Sequence, residues 1–375
     1  MPARETPSYT ALAPGDPLTR ALAKLFDWTA RRPFQSQLGW FMLGVSSCGI
    51  GRYPHDNYFQ IAQNPFVRDP QASFYQDSLL LPLVAHLFGL HNSLFLFHGL
   101  LLLCLLGAFV VAGSLTTQLH GRFVGALIAP AIAIHPVLLS TLNWLGSPDP
   151  ITLLCTLVLA LANGPWLLGI VAGIGVINHP QGLVAGGLLV LLRLSAAERA
   201  FSRWQALAIL VGLSSGYLLV RAFLSYFDIT ITPSRLDFMF AGIWLDLRIK
   251  ELPLSIFTLY GGLWFVVISC LGYGFRYAPR YYGCFLLVQV LAATLTFFTY
   301  DTTRVFGLLT LATVIHCMVQ TLALARTRGD EAGLGWTFML ILSGGLLLPR
   351  YSSWNGTIRF PETLTSWQWL IDQLR

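Results

Sequence analysis

The chain has 375 residues, of which 55% are hydrophobic and only 11% charged, against roughly a quarter charged in ordinary soluble domains. That composition excludes a soluble helical protein, which needs far more polar surface, and leaves one polytopic membrane unit with little chain for a separate soluble domain. The net charge of +6 does not indicate a nucleic-acid partner, because the basic residues stand singly in loops without a stripe or a basic–aromatic repeat.

In chain order, residues 1–35 are polar and mixed. They read as a cytoplasmic tail carrying a short amphipathic helix, Leu18–Ala30, on the membrane surface. Apolar segments follow at about 36–51, 93–118, 123–142, 150–163, 165–178, 182–193, 204–224, 253–273, 281–299, 305–325 and 333–349. A bilayer needs a helix of ~20 apolar residues, so the pattern predicts an all-α transmembrane bundle of about 11 spans over 36–349. Pro65, Pro70 and Pro82 interrupt residues 52–92, which read as a large first extracytoplasmic loop with one or two short interfacial helices. Residues 225–252 alternate in charge sign, as a solvated amphipathic helix does. Residues 350–375 form an extracytoplasmic tail with Trp354, Trp367 and Trp369 suited to the membrane interface. The six cysteines are scattered singly in apolar segments and read as small apolar side chains.

Counting crossings from a cytoplasmic N-terminus puts 13 of the 23 basic residues and 6 of the 17 acidic ones on the inner side. A basic excess in cytoplasmic loops is what insertion favours. The expected location is the inner (plasma) membrane, N-terminus inside. The same count places four polar joints together on the outer face: Arg52–Tyr58, Gly146–Pro150, Asn178–Gly182 and Tyr300–Arg304.

Each joint admits two readings. His55, Asp56, Asn57 and Tyr58 follow the first span, with Arg68, Asp69 and Asp77 further on. A carboxylate where helix meets water is partly desolvated and becomes basic enough to take a proton from a sugar hydroxyl; otherwise Asp56 caps a helix. Asp149 is held between Pro148 and Pro150, as a site residue or as a helix cap. Asn143 and Trp144 just before it could hydrogen-bond to and stack on a sugar ring. Asn178, His179 and Gln181 interrupt an apolar stretch, and polar groups at membrane depth are functional candidates; the competing account is a structural hairpin. A divalent cation shared by His55, Asp56, Asp149 and His179 stays open. Arg304 offers a planar fork of donors for phosphate at a helix N-terminus, or it pairs with Asp301, or it snorkels to headgroups. Arg52, Arg221 and Arg350 are lesser candidates on that face.

This layout resembles the C-type integral-membrane glycosyltransferases, the GT-C superfamily. The resemblance rests on His55-Asp56-Asn57-Tyr58 after the first span and on the loop 59–92. The segment Asp301-Thr302-Thr303-Arg304-Val305-Phe306 is also similar to one near the end of a group of bacterial membrane proteins. The resemblance implies a polyprenyl-phosphate-linked sugar as donor, Asp56 as base, Arg304 as binder of the donor phosphate, and a second acidic residue at Asp149. The chain departs from the pattern in lacking paired acidic residues in the first loop. The expected activity is sugar transfer to a membrane lipid or envelope glycan on the outer face. The alternatives are a transporter or flippase of an amphipathic solute, with His98, His135 and His316 as midplane candidates, and a non-catalytic assembly subunit. A cavity reaching the inner face past those histidines would favour transport.

Overall fold

A computed structural model describes residues 17–50, 56–67, 73–196, 201–232, 234, 252–297, 299, 301–348, 350–354 and 357–359. Among the described residues the regular structure is helical apart from a small antiparallel hairpin, β1 (Ser352–Trp354) paired with β2 (Thr357–Arg359). Helix α1 (Pro17–Arg31) contains the predicted Leu18–Ala30 stretch. It turns directly into α2 (Pro33–Cys48), whose first residue is a proline that needs no N–H there. Among the described residues of the 52–92 stretch are two short helices, α3 (Asp56–Gln63) and α4 (Leu80–Leu87), and two 3-10 turns. Helix α5 (Leu94–His120) is capped by Ser93, whose side chain accepts from Leu96 N, and Gly121 at φ 93° ends it.

Among the described residues, three helices are long and apolar enough to cross a membrane: α5, α12 (Arg203–Tyr226) and α16 (Thr302–Arg328). The number rises to five if each of two bent pairs counts as one span. The bent pairs correct the straight spans expected at 123–142 and 253–273. In the first, α6 (Arg122–Gly125) and α7 (Ile128–Ile134) meet α8 (Pro136–Asn143) at 53°. Pro136 cannot donate to the preceding turn, so His135 becomes extended at ψ 134° and its ring caps α8 by accepting from Val137 N at 3.0 Å. In the second, α13 (Leu252–Tyr260) meets α14 (Leu263–Gly274) at 82° through Gly261, whose φ of 54° suits glycine. The two breaks touch, since a β-carbon on Gly261 would stand 3.1 Å from Pro136 Cγ.

Between these lie α9 (Asp149–Leu161), α10 (Pro165–Asn178) and α11 (Gln181–Ser195), of 13, 14 and 15 residues. At 1.5 Å per residue each is about 20 Å long, shorter than the ~30 Å hydrocarbon core. Helices α15 (Pro279–Phe297) and α17 (Glu331–Gly345) complete the described helices. In α16, 83% of the most apolar stretch is buried, against 33% in α5 and 28% in α12, so α16 is the central helix. It packs on α8, α9, α11, α13, α14, α15 and α17. Its buried threonines close on neighbouring polar groups: Thr303 on Thr258, Thr313 on Gln289, and Thr321 on Tyr282. Helices α10 and α12 sit backbone against backbone. A β-carbon on Gly212 would fall 2.0 Å from Gly169 O, and one on Gly216 would fall 2.6 Å from Gly173 O. Small residues four apart on both helices permit that approach.

Candidate functional site

The first turn of α16 brings distant joints together. Asp301 is the N-cap of α16 and accepts from Arg304 N at 3.4 Å. Arg304, one turn in, turns its side chain to Asp149, 155 residues earlier. Nε donates to Oδ2 at 2.5 Å and Nη2 to Oδ1 at 3.2 Å, a two-pronged pair, while Nη1 lies 3.5 Å from Asp301 Oδ2. The Asp149 side chain is fully buried and that of Arg304 is 13% exposed. Asp149 does not cap its helix. Pro148 holds the cap position, and the first-residue carboxylate goes to the guanidinium instead.

A second joint braces this pair. The Asn178 amide donates to Pro148 O at 2.8 Å and to Thr152 Oγ1 at 3.0 Å, tying the end of α10 to the start of α9. His179 is buried, and its Nδ1 accepts from Gln181 N at 3.1 Å, which leaves the ring proton on Nε2. Gln181 is half-buried, and its Oε1 has no hydrogen-bond partner among the described residues. The first loop arrives from two sides. Leu79 N donates to Ile177 O at 2.9 Å, and buried Tyr58 in α3 lies within electrostatic reach of Arg304 while packing edge-on against Tyr75. The Trp144 ring stands 5.9 Å from the Arg304 guanidinium carbon. Over the same turn, Ser353 N of the hairpin donates to Thr303 Oγ1 at 2.8 Å.

Of the residues singled out from sequence, Tyr58, Asp149, Asp301 and Arg304 therefore gather at one place, with His179 and Gln181 on the bracing turn. Asn143 ends α8 half-buried and makes no hydrogen bond to the ion pair. Asp77 closes the turn Ser73–Asp77. Arg221 is exposed on α12, whereas Arg350 is buried and donates to Cys48 Sγ at 2.7 Å. Asp56 is the first residue of α3. Its side chain lies outside the described residues, as do Arg52, His55, Arg68, Asp69, Tyr300, the segment 235–251, Trp367 and Trp369. Sequence reasoning missed Asn178 as the brace. The pairing of an amide with Pro148 O thirty residues away has no local signature.

Burial, reinforced by the Asp149 charge and opposed by Arg304, pushes the Asp301 carboxyl up to about 6. That is near the value at which a side chain both accepts and releases protons at neutral pH. No group of three or more His, Cys, Asp or Glu among the described residues is placed to hold a metal ion. Of the residues considered for a shared divalent cation, Asp149 faces Arg304, and the side chains of His55 and Asp56 lie outside the described residues. No protein-family model matches the sequence, and no curated protein matches it.

Proposed function

We propose that this chain is a membrane glycosyltransferase of the GT-C kind. It moves a sugar from a polyprenyl-phosphate donor to a lipid or envelope glycan acceptor on the extracytoplasmic face of the inner membrane. In this reading the N-terminus is cytoplasmic, residues 52–92 form the large outer loop, and the short α9, α10 and α11 also cross, for about 11 spans. The observation that supports it is the buried Asp149–Arg304–Asp301 cluster with Tyr58 and Trp144 beside it. Arg304 holds the donor phosphate and takes up the charge that develops on its oxygen as the bond to the anomeric carbon breaks. Asp149 fixes the plane of the guanidinium fork. Asp56, in the same helical turn as Tyr58, takes the proton of the acceptor hydroxyl as its oxygen bonds to the sugar. Trp144 offers a face for the sugar ring.

The test is transfer of labelled sugar from a polyprenyl-phosphate donor by the purified protein in liposomes. Wild type is expected to transfer, with Arg304→Lys and Asp56→Asn each reduced at least ~100-fold. Unchanged transfer in either variant removes that residue from the chemistry. One observation favours transport as a second reading: a cavity at the far end of α16 is lined by His120 and His316. Solute uptake into the liposomes without sugar transfer would establish that reading in place of the first.

A further inference from the structure

About 18 Å along α16 from Arg304, at 1.5 Å per residue, a small, partly open cavity of about 40 Å³ lies between the ends of α5, α9 and α11. Its wall includes Arg193, His120, His316, Gln320, Asn163 and Phe201, and no acidic residue among the described residues lines it. Arg193 is 4% exposed. One amino group of the guanidinium donates to Leu159 O, and the other donates to Ala162 O and to Asn163 Oδ1, both at 2.9 Å. The guanidinium carbon lies 4.3 Å over the Phe201 ring. Nε is buried with no acceptor, and no carboxylate among the described residues pairs with this arginine.

The carbonyl end of α9 offsets part of the buried charge, since a cation is stabilised at a helix C-terminus. Desolvating an ion costs more than that gain, so the helix end alone leaves a deficit. A small polar space beside a buried guanidinium with an unused donor is suited to an oxyanion. The Gln320 amide and two imidazoles nearby can supply further donors to more than two oxygens. That favours phosphate, with its three or four oxygens, over a carboxylate.

We propose that this cavity binds a phosphate group, at a site separate from Arg304. Two sources share that chemistry: free phosphate or a phosphoester, and the headgroup of an anionic lipid. The full-length protein in non-ionic detergent is titrated with inorganic phosphate by calorimetry, and with dioleoyl phosphatidic acid against phosphate-free dioleoylglycerol by native mass spectrometry. Binding in either phosphate arm is expected, and the responding arm identifies the source. Arg193→Lys, which keeps the charge but loses the fork, and Gln320→Glu, which adds an anion at a half-exposed wall position, are each expected to weaken binding at least tenfold. The proposal is overturned if wild type binds neither probe, if both variants bind as wild type does, or if only Arg304→Lys weakens binding. Glu198 lies outside the described residues. If Glu198→Gln created phosphate binding absent from wild type, Glu198 would be the counter-ion and the proposal would fall.

Discussion

Arg304 and Arg193 are both buried guanidiniums beside the central helix, yet they are neutralised in different ways. Arg304 lies against two carboxylates. Arg193 meets carbonyl oxygens and an amide, and it borders open space. The packed side of α16 between them, including Phe306, Thr310 and Thr313, is buried, so the two ends are insulated from each other. A charge matched by fixed carboxylates is held in one geometry. A charge matched only by dipoles retains attraction for a mobile anion. The contrast is thus between a guanidinium locked in an ion pair and one whose nearest described partners are dipoles.

The contrast can be broken most sharply at Arg304. Arg304→Ala strands buried Asp149 and is expected to cost about 3–5 kcal/mol in denaturant unfolding in detergent. Next comes Asp301. Its folded pKa of about 6 exceeds its ordinary 3.8, so burial favours the protonated form. Its contribution is full below about pH 4 and is lost as the pH rises to about 6, a loss on the order of 3 kcal/mol. Asp301→Asn keeps a capping side chain, so its stability is expected to stay flat across that window and to exceed wild type above pH 6. Arg193→Ala leaves no described carboxylate unpaired and removes hydrogen bonds to carbonyls, so a smaller loss of about 1–3 kcal/mol is expected by the same unfolding method. A loss as large as that of Arg304→Ala would mean Arg193 has a counter-ion and would erase the contrast. Smallest is Arg326→Ala. That side chain is 43% exposed in its pair with Glu331, so a change of about 1 kcal/mol or less is expected on unfolding.

The helical class, the helix of the N-terminal region and most segment boundaries were legible because apolar runs and prolines report directly on helix length and breakage. Bends at His135–Pro136 and Gly261 were less so. Hydropathy averages over a window, and a positive φ at one glycine leaves no trace in it. The packing of Gly169 and Gly173 against Gly212 and Gly216 was not legible, because which glycines face each other depends on the fold. In the site, Asp149, Asp301 and Arg304 stood out as charges at joints. That Asp149 leaves the cap to Pro148 and crosses to Arg304 was not legible, because the partner lies 155 residues away. Arg193 read only as an inner-face basic residue, since its burial comes from the convergence of α9, α11 and α16.

The most direct measurement is a double-mutant cycle across the two joints, using Asp149→Asn, Arg304→Gln and the double variant, with unfolding free energy in detergent micelles as the readout. Direct contact between these side chains requires a coupling of about 2 kcal/mol or more, the double variant being far more stable than the sum of the single losses implies. A coupling below about 0.5 kcal/mol would mean that the carboxylate and the guanidinium do not meet, and the convergence of the joints on one site would be wrong.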